Sequence, residues 1–320
     1  MRNIIAFSGG KDSTALAIWA KNNLDDFEII FCDTGWEHAV TYQFLQDFSK
    51  SLAHPIKVIR SEKYFSDPLI FDALDDRINF DQELTKEGFW SLTLHKKRVA
   101  SSRARFCTEK LKVEPMIDYI LDHTDGDVII YQGLRRQESY NRSFLSQEDD
   151  FFANYFEPYS FRKDGTPRYH TYRKSDVVAR TDKAEIRASR PLLKWDHGQV
   201  FDYIKHNQYQ YNPLYDLGVH RVGCYPCVMV NQQEFWALIE ADPSVVDRIR
   251  SLEEATKSSF FRPDYIPQRY HNRETINKSG DLVTYSSVDA VVRYLKDKHA
   301  TGDMFAMAGL VCKNIYVPCE

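Results

Sequence analysis

The sequence predicts an α/β fold: a parallel sheet with helices on both faces, followed by a small Cys-rich C-terminal region. Three observations predict it. Short apolar runs alternate with stretches of helical spacing along the first part of the chain, several of those runs end in glycine-bearing loops, and the alternation stops after about Gly218. Strand–helix alternation with short links is the pattern of parallel strands joined by helical crossovers. The chain has 320 residues, 43% hydrophobic and 28% charged, enough for one large domain with an appendage or for two. We place the division between residues 217 and 218.

Taken in order, Ile4–Phe7 is an apolar run ending in Ser-Gly-Gly. It is too short for a signal peptide and reads as a buried first strand. Ser13–Lys21 has helical spacing in Ala15, Leu16, Ile18 and Trp19. Phe27–Cys32 is a second strand, with Cys32 in the core. His38–Phe48 is a helix, Ile56–Ile59 a third strand, and Asp127–Tyr131 another strand, closed by Gly133. Gln147–Arg190 is aromatic, polar and basic with little periodicity, and reads as an excursion or substrate loop of the first domain. Trp195–His206 resumes as a helix. No run of about 18 apolar residues exists, so no membrane span is expected. The net charge of −4 confines any nucleic-acid contact to local patches. Six sparse cysteines without a secretion signal are expected to be reduced, in a cytoplasmic protein.

Three strand-end loops carry the chemistry. Ser8-Gly9-Gly10-Lys11-Asp12-Ser13 lies between a strand and a helix, where ligands of open α/β sheets bind. Its glycines admit phosphate oxygens to the backbone, and the first helical amides point at the anion. Lys11 adds charge, Ser8 and Ser13 add hydroxyl donors, and Asp12 would either cap the helix or hold a magnesium ion. Asp33-Thr34-Gly35-Trp36-Glu37 ends the second strand, and an acidic residue there suits a ribose hydroxyl or an adenine amino group. Gly133–Ser139, with Arg142 beyond, places Arg135 and Arg142 as a pyrophosphate clamp; the alternative is a solvated helix start.

The cysteines pair. Cys224 and Cys227 form a C-x-x-C behind Gly223, and Cys312 and Cys319 form a looser second pair. Four thiolates from two segments would make one tetrahedral site for zinc or an iron–sulfur cluster. Cys107 stands among Lys96, Lys97, Arg98, Arg103, Arg105, Lys110 and Lys112, where positive charge should lower its pKa. It reads as a sulfur carrier, with metal ligand and inert buried thiol as alternatives. That basic cluster and the 162–190 stretch, with Tyr169, Tyr172, Arg173 and Lys174, could also track a nucleic-acid backbone.

Together these segments resemble the adenine-nucleotide α-hydrolase (PP-loop ATP pyrophosphatase) superfamily, in its PAPS-reductase-like branch. Ser8–Ser13 matches the superfamily's SGGKDS loop, and Asp33–Glu37 its DTG-x-E segment. Cys107–Pro115 is similar to C-T-x-x-L-K-x-x-P, and Gly133–Arg142 to G-x-R-x-x-E-S-x-x-R. Arg190–Trp195, Asn212–Tyr215 and Gly223–Cys227 are similar to its C-terminal signature. The intact loop resembles members that use ATP, such as the ATP pyrophosphatase of DNA-phosphorothioation (Dnd) systems, rather than sulfonucleotide reductases, whose loop is usually altered. The resemblance implies residues 1–217 as a nucleotide-binding domain of the HUP type and 218–320 as a metal-binding region. It implies ATP cleavage to AMP and pyrophosphate with magnesium, coupled to sulfur transfer. Lys11, Asp12, Arg135 and Cys107 would be catalytic, and the nucleotide would be held by Ser8–Ser13, Asp33, Gly35, Glu37, Gly133, Arg135 and Arg142. It favours a 4Fe–4S cluster over zinc, and makes a nucleic-acid acceptor and a sulfur-donor protein candidate partners. Sulfonucleotide reduction and nucleotide sensing without turnover are the alternatives.

Overall fold

The computed structural model describes residues 1–67, 70–74, 86–101, 104–219, 221–276 and 279–306. They form two compact units: Met1–Lys96 with Ala104–Cys227, and 97–101 with the described chain from Val228 onward.

The first unit opens with β1 (Arg2–Phe7), α1 (Lys11–Asn23), β2 (Glu28–Cys32), α2 (Ala39–Leu52) and β3 (Ile56–Ile59). β4 (Phe71–Asp72) and α3 (Phe89–Lys96) follow. α4 (Phe106–Thr108) widens into one π turn, Glu109–Val113, before α5 (Glu114–His123) and β5 (Val128–Gln132). Then come α6 (Tyr140–Ser143), β6 (Glu148–Asp150), α7 (Ala153–Phe156), the small hairpin β7 (Ser160–Phe161) and β8 (Pro167–Arg168), α8 (Lys174–Thr181), β9 (Ile186–Ser189) and α9 (His197–His206).

Seven strands form one sheet in the order β4-β3-β2-β1-β5-β9-β6. The five central strands are parallel, and β4 and β6 are antiparallel edges. The chain builds outward from β1 to β3, then crosses back to β5, so the order reverses between β1 and β5. That reversal opens a crevice at the carboxyl ends of the strands. Alternation fills both faces. Ile5, Phe7, Ile29 and Phe31 pack with Leu16, Leu45, Phe48, Val200 and Ile204 of α1, α2 and α9. Ile4 and Ile30 pack with Ile117, Ile120, Phe152 and Val177 on the other side. This is the parallel sheet covered on both faces that the sequence predicts.

The 147–190 stretch, read as an excursion or substrate loop, supplies β6 and β9, and β9 lies beside β5 in the body of the sheet. β9 is four residues long and carries Arg187 and Ser189 beside Ile186 and Ala188, too short and polar to show strand periodicity.

The second unit holds α10 (Gln232–Ala241), α11 (Ser244–Thr256), the hairpin β10 (Arg273–Ile276) and β11 (Leu282–Tyr285), and α12 (Val288–Ala306). Glu253, fully buried on α11, accepts Phe260 N–H at 2.9 Å and Val288 N–H at 3.0 Å. Its carboxylate thereby ties the loop after α11 and the start of α12 together. No helix among the described residues is long and apolar enough to cross a membrane.

Candidate nucleotide site

Ser8–Ser13 turns the chain from β1 into α1. Gly9 is left-handed at φ 72°, and a Cβ there would stand 3.0 Å from the Thr41 methyl, so both backbone and space demand glycine. Gly10 is the N-cap residue and supplies no side-chain cap of its own to the first-turn amides. Ser13 shapes the turn from within: its hydroxyl donates to Gly10 O at 2.9 Å and accepts Ser8 N–H at 3.1 Å. The Ser8 and Ser13 hydroxyls, read as donors to an anion, are instead 3.2 Å from each other.

Asp12 neither caps the helix nor stands free. Its carboxylate takes the Lys11 ammonium at 3.0 Å and the Nε of Arg135, which arrives from the loop after β5. Lys11 and Arg135 are both buried. Two buried cations sharing one carboxylate leave one unit of positive charge beside the helix start, an electrostatic seat for an anion. Gly133 makes this junction: a Cβ there would lie 2.9 Å from the Asp12 carbonyl carbon and oxygen. Of the two arginines read as a clamp, Arg135 reaches the loop. Arg142 is engaged with Glu138, which also accepts the Arg135 N–H at 2.9 Å.

The Asp33–Glu37 loop is closed on itself. Asp33 accepts Gly35 N–H at 2.8 Å, Tyr42 O–H at 2.6 Å and Arg60 Nε–H at 2.7 Å. A ribose or adenine contact would therefore have to displace one of these partners. Fully buried Glu37 accepts Thr34 Oγ1–H at 2.7 Å, Thr34 N–H at 3.2 Å and Trp36 N–H at 3.1 Å. Burial, then the charge of Asp33, pushes the Glu37 carboxyl up from its ordinary value. Gly35 is left-handed at φ 65°, against the Phe65 ring. Sequence reasoning missed Arg60, whose signal was its place at the carboxyl end of β3. It also assigned no role to Asn212 and Tyr215, which the structure brings to the phosphate loop.

The C-x-x-C segment lies along the second loop. Tyr225 N–H donates to Trp36 O at 2.6 Å, Trp36 Nε1–H to Pro226 O at 3.1 Å, and Thr34 Oγ1 is 3.7 Å from Cys224 Sγ. Burial pushes the Cys224 thiol up to about 12, with Lys112 opposing and the charges of Cys227 and Cys107 adding to the rise. Cys107 corrects its reading: its thiol is raised, not lowered, by burial first and Cys227 second. Of the cations near it in sequence, Lys112 opposes the rise without overcoming it, its own charge acting first with Cys224. Lys110 is held by Glu109 at 3.0 Å and by Glu114, and Lys96 lies 6.0 Å over the Phe106 ring. Arg103 lies outside the described residues. Cys32 is core as expected, pushed up to about 12 by burial, its Sγ 3.6 Å from Lys112 O.

Cys312 and Cys319 also lie outside the described residues, so their half of the four-cysteine site has no described geometry. Among the described residues, no three His, Cys, Asp or Glu side chains are grouped as a metal ion requires. The thiols near the C-x-x-C thus form no metal site by themselves. Near the phosphate loop, Asp12 is a carboxylate that could join phosphate oxygens around magnesium, the usual way that ion is held.

Comparison with known proteins identifies the family. A family model, the phosphoadenosine phosphosulfate reductase domain, matches residues 2–230. The chain is similar to an uncharacterized 37.8 kDa protein of Escherichia phage 186, 29% identical over 305 residues, covering 85% of this chain and 82% of that one. It is also similar to the adenosine 5'-phosphosulfate reductase of Oceanobacillus iheyensis, 22% identical over 226 residues and 70% of each chain. A solved phosphoadenylyl-sulfate reductase from Candida auris superposes with a TM-score of 0.42 and 16% identity, over 71% of this chain and 83% of that one. With the loop, the sheet and the family model in register, the chain belongs to the phosphoadenosine phosphosulfate reductase domain family, within the PP-loop adenine-nucleotide α-hydrolase superfamily.

Proposed function

We propose that the chain is an ATP pyrophosphatase that transfers AMP to an acceptor oxygen, activating that position for replacement by sulfur. The observation that carries this reading is the intact Ser8–Ser13 loop with Lys11 and Arg135 buried on Asp12 at the β1/β5 crevice. In the reaction the acceptor oxygen attacks the α-phosphorus and loses its proton to solvent. The bond from that phosphorus to the α–β bridging oxygen breaks, and pyrophosphate leaves with the bonding pair. Charge develops on the departing pyrophosphate, where the helix amides, Lys11 and Arg135 converge, and fixed donors aimed at developing charge are the strongest catalytic device available. As phosphate oxygens take up the two cations, Asp12 is released from them. Magnesium brought with the nucleotide would supply further neutralisation.

The acceptor class we propose is single-stranded nucleic acid. Phe156, Tyr159, Phe161 and Tyr169 are exposed on and beside the β7–β8 hairpin. Around them Arg162, Lys163, Arg168 and Lys174 have no carboxylate ion-pair partner among the described residues. Aromatic faces among cations not neutralised by carboxylates, with Lys174 over the Tyr169 ring and Arg162 on Thr166, suit unpaired bases and their phosphates. We also propose that Cys224 and Cys227 are half of a sulfur-ligated metal centre, completed by Cys312 and Cys319. Cys107, whose thiol is raised by burial and then by Cys227, is the alternative ligand.

Reduction of a sulfonucleotide is the second reading, favoured by the likeness to an adenosine 5'-phosphosulfate reductase. The test is product analysis under anaerobic conditions. AMP and pyrophosphate from ATP, or pyrophosphate–ATP exchange when acceptor is withheld, support the pyrophosphatase. Sulfite from a sulfonucleotide with a dithiol reductant, and no pyrophosphate from ATP, would replace it. Tight ATP binding with neither product would leave a nucleotide sensor.

A further inference from the structure

A segment far along the chain returns to the phosphate loop. Asn212 is fully buried, and its Nδ2 donates to Gly9 O and to Thr41 Oγ1, both at 3.2 Å. Its Oδ1 accepts Leu214 N–H at 3.0 Å and starts the single turn Pro213–Leu217. That turn sets the Tyr215 phenol against the first residue of α1. The phenol oxygen accepts Lys11 N–H at 3.0 Å. The Lys11 ammonium lies 5.3 Å over the same ring. A Cβ on Gly10 would meet the phenol oxygen at 3.2 Å, so the second glycine leaves room for Tyr215. Phe201 holds the ring edge-on at 5.6 Å.

A phenol has two lone pairs and one proton to donate. One lone pair is used by the Lys11 amide, and the O–H stands beside the start of α1, at the phosphate loop. Burial pushes the phenol pKa above its ordinary value, so the proton stays in place. A half-buried phenol O–H at an anion-binding turn is a donor that a phosphate oxygen can take.

We infer that Tyr215 binds the substrate's polyphosphate: its O–H donates to a phosphate oxygen seated on the Ser8–Ser13 loop while its oxygen fixes the Lys11 amide. Lys11 N–H is thus withdrawn from the anion, and a phenol proton faces the site instead. The inference rests on the reading of Ser8–Ser13 as a phosphate-binding loop.

The test is calorimetric binding of ATP, inorganic pyrophosphate and adenosine to wild type and Tyr215→Phe. Loss of one hydrogen bond to a charged group should weaken ATP and pyrophosphate about ten- to hundredfold, with adenosine unchanged. Pyrophosphate bound equally by both proteins would overturn the inference. Parallel weakening of adenosine would do the same, by making Tyr215 a packing residue. Wild type that binds no pyrophosphate would sink the loop reading itself and this inference with it. Because the substitution could disturb folding, a second measurement uses the wild-type fold with 3-fluorotyrosine. The fluorine resonance assigned to position 215 should shift on adding pyrophosphate and stay still with adenosine, and a signal indifferent to pyrophosphate overturns the inference.

Discussion

Replacing Gly133 by alanine adds one methyl group where three backbone atoms of another loop already stand. The new Cβ would lie 2.9 Å from the carbonyl carbon and oxygen of Asp12 and 3.1 Å from Ser13 N. None of these is the end of a flexible side chain, so relief requires the start of α1 to move away from β5. The backbone at 133 is not left-handed, and the whole cost is therefore steric. Forcing a methyl into a filled contact costs about 1–3 kcal/mol, which for a unit of this size lowers Tm by roughly 2–12 °C. The displaced atoms belong to the residue that aligns Lys11 with Arg135, so kcat should fall more steeply than stability, by about a hundredfold for a shift near 1 Å. Differential scanning fluorimetry and pyrophosphate release measure the two effects. Gly126→Ala is the control: Gly126 is left-handed at φ 63°, and a Cβ there would have nothing within 4 Å. It should lose about 1–2 kcal/mol through backbone strain alone and keep its kcat/KM. Wild-type Tm and turnover in Gly133→Ala would show that the two loops are not in contact and refute the reasoning.

Further outcomes follow from other residues. Arg135→Met should reduce kcat about 10²–10³-fold while weakening ATP binding less, because its charge is needed most on the departing pyrophosphate; unchanged turnover would return this loop to a solvated helix start. Lys11→Ala with Asp12→Ala should abolish pyrophosphate release, and a double variant working at the wild-type rate would misplace the site. Ser variants of Cys224 and Cys227 should lose metal, measured by elemental analysis after anaerobic purification, and so should Cys312→Ser and Cys319→Ser, with Cys107→Ser retaining it. The reverse pattern for Cys107 against Cys312 and Cys319 would exchange the ligands. Arg173 donates to Asp118, Asp122 and Asp176, and its hydrogen bond holds Asp122 below the ordinary aspartate range. A lowered carboxyl contributes stability above the unfolded pKa and loses it as pH falls through the folded one. Arg173→Ala should therefore destabilise at neutral pH and converge with wild type below about pH 3, by less than about 1 kcal/mol at this exposed site; urea midpoints that stay apart in acid would contradict it. Tyr159→Ala with Phe161→Ala should weaken fluorescent single-stranded oligonucleotides about tenfold or more without changing the salt slope, since stacking rather than charge is removed. Equal affinity would detach the hairpin from any acceptor.

The phosphate loop was legible because the residues that announce it are local, Ser8, Gly9, Gly10, Lys11, Asp12 and Ser13 directly after a strand, whereas the distant groups that hold it were not. The sheet was legible where strands are apolar on both faces, as in Ile4–Phe7 and Ile29–Phe31, and illegible at β9, whose four residues include only two apolar ones, Ile186 and Ala188. Charge was read less well than pattern. Lys110 turns toward Glu109 and Glu114, and Lys112 acts on Cys107 less strongly than burial does, so charge along the chain did not become a lowered thiol. The use of Asp12 could not be read either, since the partner that decides it, Arg135, lies 123 residues away. Asp33 looked like a ligand-facing acid for a similar reason: Arg60 and Tyr42 occupy it from other elements.

The hold of Asn212 and Tyr215 on Gly9 and Lys11 spans 203 and 204 residues, and this sets an order on how the protein is made. Ribosomes add about 5–20 residues per second, so the first loop waits at least ten seconds for its last support. By His206 every strand of the sheet and the helices of both faces have been synthesised, and the nascent chain can already compact. Its turn at Gly9 and Gly10 then lacks the amide and phenol that fix it. Nucleotide capture during translation should begin only once residue 215 has left the exit tunnel, as an abrupt gain rather than a gradual one. Stalled chains released at increasing lengths would locate that step.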